Sequence, residues 1–329
     1  MRRRAFITLI GSTAVAWPLT AHAQLPDRVR RIGVLLPDAQ DDAQSQADIA
    51  AFRQELQNEG WAERNVRIDY RWSDGKADGA RAAAAELLSL APDVIVTDGR
   101  QGLGELRRAA LAVPIVFMEI DEPVFYGFVG TLAHPDGNMT GFTGLPPSVG
   151  ATWLELLNEI APRVARIAVI FNPRTAPGAV LFARAAEEVA QKFAVEVIRA
   201  PVFAPADIDA VMTTLAREPG GGLIFPIDGF TQLYSQLIFD IAARDRLPAI
   251  YGLRKFAGGG GLISYGIDIP AQFREAAHYV NRILRGERPA DLPVQPPTKF
   301  ELVVNLKTAA TLGISVPPSL LARAGAVIQ

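Results

Sequence analysis

The chain has 329 residues, a formal net charge of −2 from 33 basic and 35 acidic residues, and 49% hydrophobic against 21% charged residues, which is the composition of a globular protein. The absence of cysteine excludes disulfides, a lipid-modified cysteine anchor, thiolate metal sites and a cysteine nucleophile. A slightly acidic chain does not recruit nucleic acid or anionic lipid, so a small ligand or a protein partner is expected.

The first 23 residues have the features of an export leader. Arg2–Arg4 precede the apolar run Ala5–Trp17, and Ala21–Ala23 supplies the small residues that a signal peptidase accepts. This run is too short to cross ~30 Å of hydrocarbon, so we expect cleavage after Ala23, a periplasmic protein and no membrane span in the mature chain. Arg3-Arg4 also resembles a twin-arginine export signal. A buried N-terminal helix is the alternative.

From Arg30 onward, short β-branched runs alternate with alanine-rich segments of helical period. This alternation predicts an α/β fold with mainly parallel strands covered by helices. The predicted strands are Arg31–Leu36, Val66–Trp72, Asp93–Thr97 and Pro114–Met118. The first predicted helix has an apolar stripe of Ile49, Phe52 and Leu56, and this helix ends at Gly60. The next two predicted helices are Ala77–Leu90 and Gly102–Leu111. The second strand alternates in polarity, which is typical of a sheet edge, whereas the last two are continuously apolar and predict burial on both faces.

The same pattern starts again after Pro146-Pro147-Ser148, and Arg166–Pro173 repeats the shape of Arg31–Pro37 with one extra residue. The predicted helices of this second half are one around Trp153–Leu157, Gly178–Phe193, Ala206–Arg217, Phe230–Arg244 and Ala271–Leu284, and the predicted strands are Arg166–Phe171, Val195–Arg199, Gly222–Phe225, Ala249–Tyr251, Leu262–Tyr265 and Phe300–Val304. Prolines 289, 293, 296 and 297 predict an extended connection that crosses between lobes. We therefore expect two similar doubly wound lobes: residues 24–144 with about 267–292, and residues 145–266 with about 293–329.

Ligands of open parallel sheets bind beyond the carboxyl ends of the strands, where turns and helix N-termini meet. Two lobes whose turns face one cleft would close on such a ligand. The candidate ligand-binding residues are Pro37, Asp38, Asp98, Gly99, Arg100, Glu119, Asp121, Phe125, Tyr126, Asn172, Asp228, Phe230, Tyr251, Arg254 and Tyr265.

The charged candidates suggest how a zwitterionic ligand would be held. Arg100 begins a predicted helix, where its guanidinium and free backbone N–H groups could bind a carboxylate together, although a plain surface arginine is the alternative. Asp228, Glu119 or Asp121 would meet an ammonium group, since a buried cation must be paired. Asp228 could equally be a helix N-cap.

The remaining candidates have open alternatives too. Phe125, Tyr126, Phe230 and Tyr251 could stack on an apolar ligand body, and a place in the core is equally open for each. Asn172 precedes a proline, so a turn is its other role.

Motifs for catalysis, metals or cofactors are missing, and we expect no enzyme, no metal and no cofactor. His134 and His278 have no partner at metal spacing along the chain, and the glycines between Gly99 and Gly104 do not form the dinucleotide fingerprint. Gly258–Gly261 lacks the Lys-Ser/Thr of a phosphate loop and is interpreted as a flexible turn. No Gly-x-Ser-x-Gly elbow is present.

Several segments, in this order, are similar to one known family. They are Ile32–Leu35, Val94–Thr97, Pro114–Phe117, Gly137–Gly141, Leu247–Gly252, Ser264–Gly266 and Pro297–Ala309. Over nearly its whole mature length the chain resembles the substrate-binding proteins of bacterial ABC importers of the tryptophan/tyrosine-transport type. The resemblance implies a type I periplasmic-binding fold, in which two α/β lobes joined by three crossovers close on a solute and dock to a membrane permease.

The sequence departs from the family pattern at the predicted cleft. Asp98 and Arg100 flank Gly99 where the family has small residues, Asp121-Glu122-Pro123-Val124 replaces Gly-Asp-Pro-Val, and Phe125 and Tyr126 stand in place of further small residues. We expect a monomeric receptor for a small carboxylate-bearing solute, such as an aromatic or hydrophobic amino acid or a related acid, that works with an inner-membrane ABC permease. A sensor for a kinase or chemoreceptor and a secreted carboxylate-dependent enzyme are the alternatives.

Overall fold

The computed structural model describes residues 28–109 and 112–329. The predicted leader, its cleavage point after Ala23 and the twin-arginine signal lie outside the described residues. So does Leu111, at which the third predicted helix ends.

The first sheet belongs to the N lobe, which is the part of the chain built around it. Its strands are β1 (Arg30–Leu36), β2 (Val66–Trp72), β3 (Val94–Asp98), β4 (Ile115–Met118) and β5 (Met139–Gly141). All pair in parallel in the order β2-β1-β3-β4-β5, so β2 is the edge strand as predicted. β5 was not predicted, because Met139-Thr140-Gly141 has neither a continuous apolar run nor β-branched residues on both sides of a turn. Gly141 has a φ of 152° and lies so close to β4 that a Cβ atom would be 1.9 Å from the Phe117 carbonyl oxygen.

Helices cover both faces of this sheet. The helices of the first half are α1 (Ala43–Asn58), α2 (Ala77–Ser89) and α3 (Arg100–Ala109). Ile32 and Val34 of β1 pack toward α1, while the intervening face, with Leu35, packs toward α2 and α3. Each fully buried side chain of this size contributes roughly 1.5–3 kcal/mol, so the alternating side chains of β1 hold the helix layers on both faces of the sheet.

The second sheet forms the C lobe. Its strands are β6 (Arg166–Phe171), β7 (Glu196–Pro201), β8 (Gly221–Phe225), β9 (Ala249–Tyr251), β10 (Ile263–Ile267), β11 (Phe300–Asn305) and β12 (Ala326–Ile328). Their order is β12-β11-β10-β9-β8-β6-β7, and within it only β10 and β11 pair in antiparallel fashion. The helices of the second half of the chain are α4 (Val149–Ile160), α5 (Ala179–Ala190), α6 (Pro205–Ala216), α7 (Gly229–Leu233), α8 (Ser235–Arg244), α9 (Arg254–Gly259), α10 (Ile269–Leu284), α11 (Leu306–Leu312) and α12 (Pro318–Arg323), of which α10 packs on the N lobe. The expected α/β class with two mainly parallel lobes is confirmed.

The chain passes between the lobes three times. It leaves the N lobe after β5, returns at Asp268 into α10, which packs on α1, and crosses back along the extended segment 292–299 into β11. The first and third passages run side by side, since Phe142 bridges Gln295 and the Thr143 amide donates to the Gln295 carbonyl. The predicted residue boundaries of the lobes stay a prediction.

Two local predictions are wrong. The predicted helix Phe230–Arg244 is two helices, α7 and α8, because Tyr234 between them leaves helical geometry with φ −104° and ψ 23°. Gly258–Gly261 is not a flexible turn: its first two residues end α9, and a Cβ on Gly261 would lie 2.6 Å from the Tyr251 ring. The glycines there allow close packing.

Among the described residues, no helix combines the length and continuous apolar character that crossing a bilayer requires.

Candidate functional site

The carboxyl ends of β1, β3 and β4 meet at one edge of the N-lobe sheet, as parallel pairing requires. Across this edge lies α9 of the C lobe, whose Lys255 Nζ is 3.8 Å from Oδ1 of Asp38. The space between the lobes, called the cleft below, is therefore lined by the turns that the sequence singled out. Asp38, Asp98, Gly99, Arg100, Glu119 and Asp121 all lie at this edge.

Asp98 and Glu119 form a carboxyl pair at the floor of the cleft. Asp98 ends β3 in register with Met118 of β4, so Glu119 follows directly beside it, and burial and then the charge of Glu119 raise the pKa of Asp98. Asp98 is only 8% exposed, and neither its Oδ1 nor Glu119 Oε1 has a hydrogen-bond partner in the described part of the chain. Burial is the largest cause that raises both pKa values, well above the usual range for Asp98, and the neighbouring carboxylates raise them further.

The backbone around this pair adopts unusual conformations. Glu119 has a φ of 54°, a left-handed conformation that costs a non-glycine residue roughly 1–2 kcal/mol. Gly99 has a φ of 77° and links β3 directly to α3. The chain therefore turns sharply after each of these strands, which leaves both carboxyl groups at the sheet edge.

Asp48 is a third buried carboxyl group at this edge, and sequence reasoning missed it. It is 5% exposed, accepts a hydrogen bond from Gln44 Nε2 at 2.9 Å, and has its pKa raised to about 7, chiefly by burial. Asp38 and Asp42 raise it further, and Asp48 in turn acts on Asp98 and Glu119. Ser45, one turn earlier on the same helix face, is also buried, and its Oγ has no partner among the described residues. A signal was available: Asp48 interrupts the apolar stripe of α1, four residues before Phe52.

Arg100 is exposed at the start of α3, with its guanidinium 4.7 Å from the ring centre of Tyr126. Tyr126 in turn packs edge-on against Phe125, which is 80% exposed. Asp121 lies nearby: its surroundings raise its pKa to about 6 by desolvation, and Arg100 acts in the opposite direction. The arginine is therefore available to a ligand from the cleft side while it rests on an aromatic ring.

Two cavities open at the cleft. A cavity of about 100 Å³ lies between the ends of β1 and β3 and is lined by Pro37, Ser73, Asp98, Gly99 and Arg100, among others. A second, of about 210 Å³, lies between the lobes beside the first crossover, with Asp121 and Val124 on one side and Leu181 and Phe182 on the other. The first is lined by the Asp98 carboxyl group and the Arg100 side chain among smaller and apolar residues, and the second is mainly apolar.

Most of the candidate residues in the C lobe make their contacts within that lobe. Both oxygens of Asp228 accept bonds, from the amides of Asn172 and Phe230 at 2.8 and 3.0 Å and from the Thr175 hydroxyl, so Asp228 is the N-cap of α7. Asn172 Oδ1 accepts from the Arg174 amide at 2.8 Å, which is a turn-forming role. The structure therefore shows Asp228 as a helix N-cap and Asn172 as a turn residue.

Tyr251 belongs to the core and not to the cleft: it is 1% exposed and stacks between Phe225 and Phe256 at 5.2 and 5.0 Å. The short strand β9 lies inside the sheet, which buries its side chains on both faces. Arg254 forms an ion pair with Glu301 within the C lobe.

The remaining aromatic candidates are half-buried. Tyr265 stacks on Phe300 at 5.7 Å, and Phe230 packs on Tyr234 at 4.9 Å.

Within the described residues, one group of side chains has metal-ligand spacing, and it lies outside the cleft. Glu55, Glu59 and His278 offer ligand atoms within 4.8 Å of one another where α1 packs on α10. His278 Nδ1 is 2.6 Å from Glu59 Oε1, and Asn281 Nδ2 donates to the other oxygen of Glu59. His278, which has no partner at metal spacing along the chain, therefore has Glu55 and Glu59 as neighbours in the fold. The contacts with His278 and Asn281 already use both carboxylate oxygens of Glu59.

Comparison with known proteins matches residues 39–328 to the family model described as ABC transporter substrate binding protein. The tyrosine-binding protein of Clostridioides difficile strain R20291 is 22% identical over 262 residues, which are 79% of this chain and 75% of that protein. A conserved domain protein from Vibrio cholerae superposes with a TM-score of 0.78 at 26% identity, covering 91% of this chain and 100% of the other. An ABC domain in complex with L-Trp from Streptococcus pneumoniae superposes with the same TM-score at 23% identity and the same coverage. The two-lobe periplasmic-binding fold is confirmed.

Proposed function

The chain belongs to the family of ABC transporter substrate binding proteins, and from this premise we propose that it is the receptor of an importer for a small, carboxylate-bearing organic solute. Aromatic or hydrophobic amino acids and related acids are the candidate ligands. In this proposal the lobes close on the solute, and the closed receptor delivers it to a membrane permease. The protein would act outside the cytoplasm as a monomer, without a cofactor.

The observation that carries this proposal is the cleft itself. The strand ends of the N lobe face α9 of the C lobe, and the Asp38–Lys255 approach shows that side chains of the two lobes come within ion-pair distance. A solute held between such lobes touches both, so binding favours the closed arrangement of an existing equilibrium.

The lining of the cleft supports an amino-acid-like ligand. Arg100 can bind a carboxylate in bidentate fashion, and the apolar cavity beside Leu181 and Phe182 can take a small apolar body. The names of the relatives agree with this class, since one is called tyrosine-binding and another was crystallised with L-Trp.

A thermal-shift screen tests the proposal. Amino acids, aromatic acids, amines and other small carboxylates are added to the mature protein, and a true ligand raises the melting temperature in proportion to the logarithm of its excess. Mass spectrometry of the solute recovered after long incubation then separates a receptor, which returns it unchanged, from an enzyme. Silence across the whole panel would contradict the proposed function.

A further inference from the structure

We propose, on the basis of the proposed function, that the solute carries a positively charged nitrogen and that the Asp98–Glu119 pair is the group that holds it. The carboxylate of the solute then becomes the secondary determinant. A plain carboxylic acid with the same body would be rejected.

The unpaired acceptors are the first step of the argument. Buried polar atoms of folded proteins nearly always have hydrogen-bond partners, yet Asp98 Oδ1 and Glu119 Oε1 lack one within the described ranges. An ionised carboxyl group only accepts hydrogen bonds, so in that form both atoms need a donor. Ser45 Oγ is a third buried atom without a partner, on the helix face that carries Asp48.

The cavity that Asp98 lines provides space for such a donor. Asp98 lines the pocket of about 100 Å³ between the ends of β1 and β3. A cavity of this size has room for an ammonium or guanidinium head. The larger apolar cavity, which Asp121 helps to line, has room for the body of the solute.

Charge selects a cation over a neutral donor. Asp38, Asp48 and Asp121 face the pair from β1, α1 and the turn after β4, and each carboxylate raises the pKa of one or both members of the pair. The basic groups at this edge are Arg100, which acts on Asp121, and Lys255 of α9, which acts on Asp38. Acidic groups therefore outnumber basic ones around the pair, and a cation relieves the repulsion among them.

The geometry favours an organic cation over a metal ion. Three ligand atoms within 4.8 Å of one another occur in the described residues at Glu55, Glu59 and His278, and not at this pair. Carboxylates spread along the sheet edge suit a nitrogen with several N–H donors better than a compact ion that needs a tight ligand shell.

Binding and protonation are then linked. A cation beside the pair lowers its affinity for protons, so a proton leaves to solvent as the solute arrives, and binding tightens as the pH rises toward the raised pKa of Glu119, about 7. Asp38, Asp48 and Asp121 titrate in the same direction, since their pKa values are also raised.

The test uses the mature protein and three probes with one aromatic body: tyrosine, tyramine and hydroxyphenylpropionate. We expect tyrosine and tyramine to bind and the acid without nitrogen to bind at least about 100-fold more weakly. If other solutes emerge from the thermal-shift screen, each is compared with its own deaminated counterpart. Equal binding of a solute and its deaminated form overturns this inference but leaves the proposed function intact, whereas silence of every probe and every screened solute overturns both.

Two variants locate the effect. Asp98→Asn and Glu119→Gln each keep the shape of the side chain, and we expect either to weaken binding of the amine-bearing probe at least about 10-fold and to flatten its pH dependence. Asp78→Asn removes a carboxylate that is 94% exposed on α2 of the same lobe and should leave both unchanged. Unchanged affinity in both cleft variants overturns the inference. So does binding of Ca²⁺ or Mg²⁺ alone that Asp98→Asn abolishes.

Discussion

Lys255 of α9 and Asp38 after β1 approach each other across the cleft, with 3.8 Å between Nζ and Oδ1. The two residues belong to different lobes, and both side chains are more than one third exposed. Desolvation raises the pKa of Asp38, and Lys255 opposes this rise. Because this contact exists only when the lobes are near each other, it would favour the closed arrangement proposed above without contributing to the fold of either lobe.

Lys255→Ala should shift the protein toward its open form. An exposed ion pair is worth about 0–1 kcal/mol, so we expect the affinity for a ligand from the screen to fall by up to about fivefold, and less at high salt. The radius of gyration without ligand, measured by small-angle scattering, should increase slightly. Lys192→Ala, an exposed lysine that follows α5 in the same lobe, is the control and should change neither quantity.

The buried carboxyl groups predict that the stability of the ligand-free protein falls as the pH rises. The pKa of Asp48 is about 7 in the folded protein against an ordinary value of 3.8 in the unfolded chain, so between about pH 4 and 7 the folded state binds more protons than the unfolded state. The contribution of Asp48 to the free energy of unfolding is therefore fully present at about pH 4 and is lost as the pH rises toward 7. The loss is roughly 1–4 kcal/mol.

The difference between wild type and Asp48→Asn isolates this effect from other titrating groups. Urea unfolding at several pH values should show a shallower decline for the variant, and Asp78→Asn should behave like wild type. Parallel curves for Asp48→Asn and wild type would show that Asp48 is not held protonated in the native state.

Arg100→Ala tests the carboxylate end of the proposed ligand. Losing one member of a buried charged pair costs roughly 2–5 kcal/mol, so affinity for a carboxylate-bearing ligand should fall at least about 30-fold, while affinity for the matching amine without carboxylate should hardly change. Arg184→Ala on α5, whose side chain is 72% exposed, is the matched control. If the affinity for the carboxylate-bearing ligand is unchanged, Arg100 is not part of the site.

The layers of the fold could be predicted because strand and helix periods are local properties. β3 and β4 are continuously apolar and lie inside the sheet, and β2 alternates and lies at its edge. The three-residue strand β5 carries too little pattern, and its pairing depends on the long-range approach of Gly141 to β4.

Local pattern does not reveal which polar groups become buried. Asp98 was a candidate because it ends a strand, but its pairing with Glu119 depends on the register of β3 and β4. Asp48 lies inside a helix that reads as an ordinary amphipathic one, and Tyr251 looked like a cleft residue until the sheet closed around it. Positions at strand ends predict where a site lies, whereas tertiary packing decides which of its side chains face the ligand.

Trp153 provides a test of the C-lobe core. It is fully buried in α4, stacks on Phe182 at 5.1 Å, and donates from Nε1 to the Tyr265 carbonyl at 2.6 Å. Trp153→Phe removes this donor, leaves the carbonyl without its partner and opens a small void, so we expect a loss of roughly 2–4 kcal/mol.

Trp72→Phe is the matched control for this substitution. The Nε1 of Trp72 is also buried but has no hydrogen-bond partner among the described residues, so its removal relieves an unpaired donor and offsets part of the lost packing. We expect Trp72→Phe to cost at least about 1 kcal/mol less than Trp153→Phe. Urea unfolding with an unchanged slope, followed by far-UV circular dichroism, measures both. Equal losses would show that packing volume, and not the bond to the Tyr265 carbonyl, sets the contribution of Trp153.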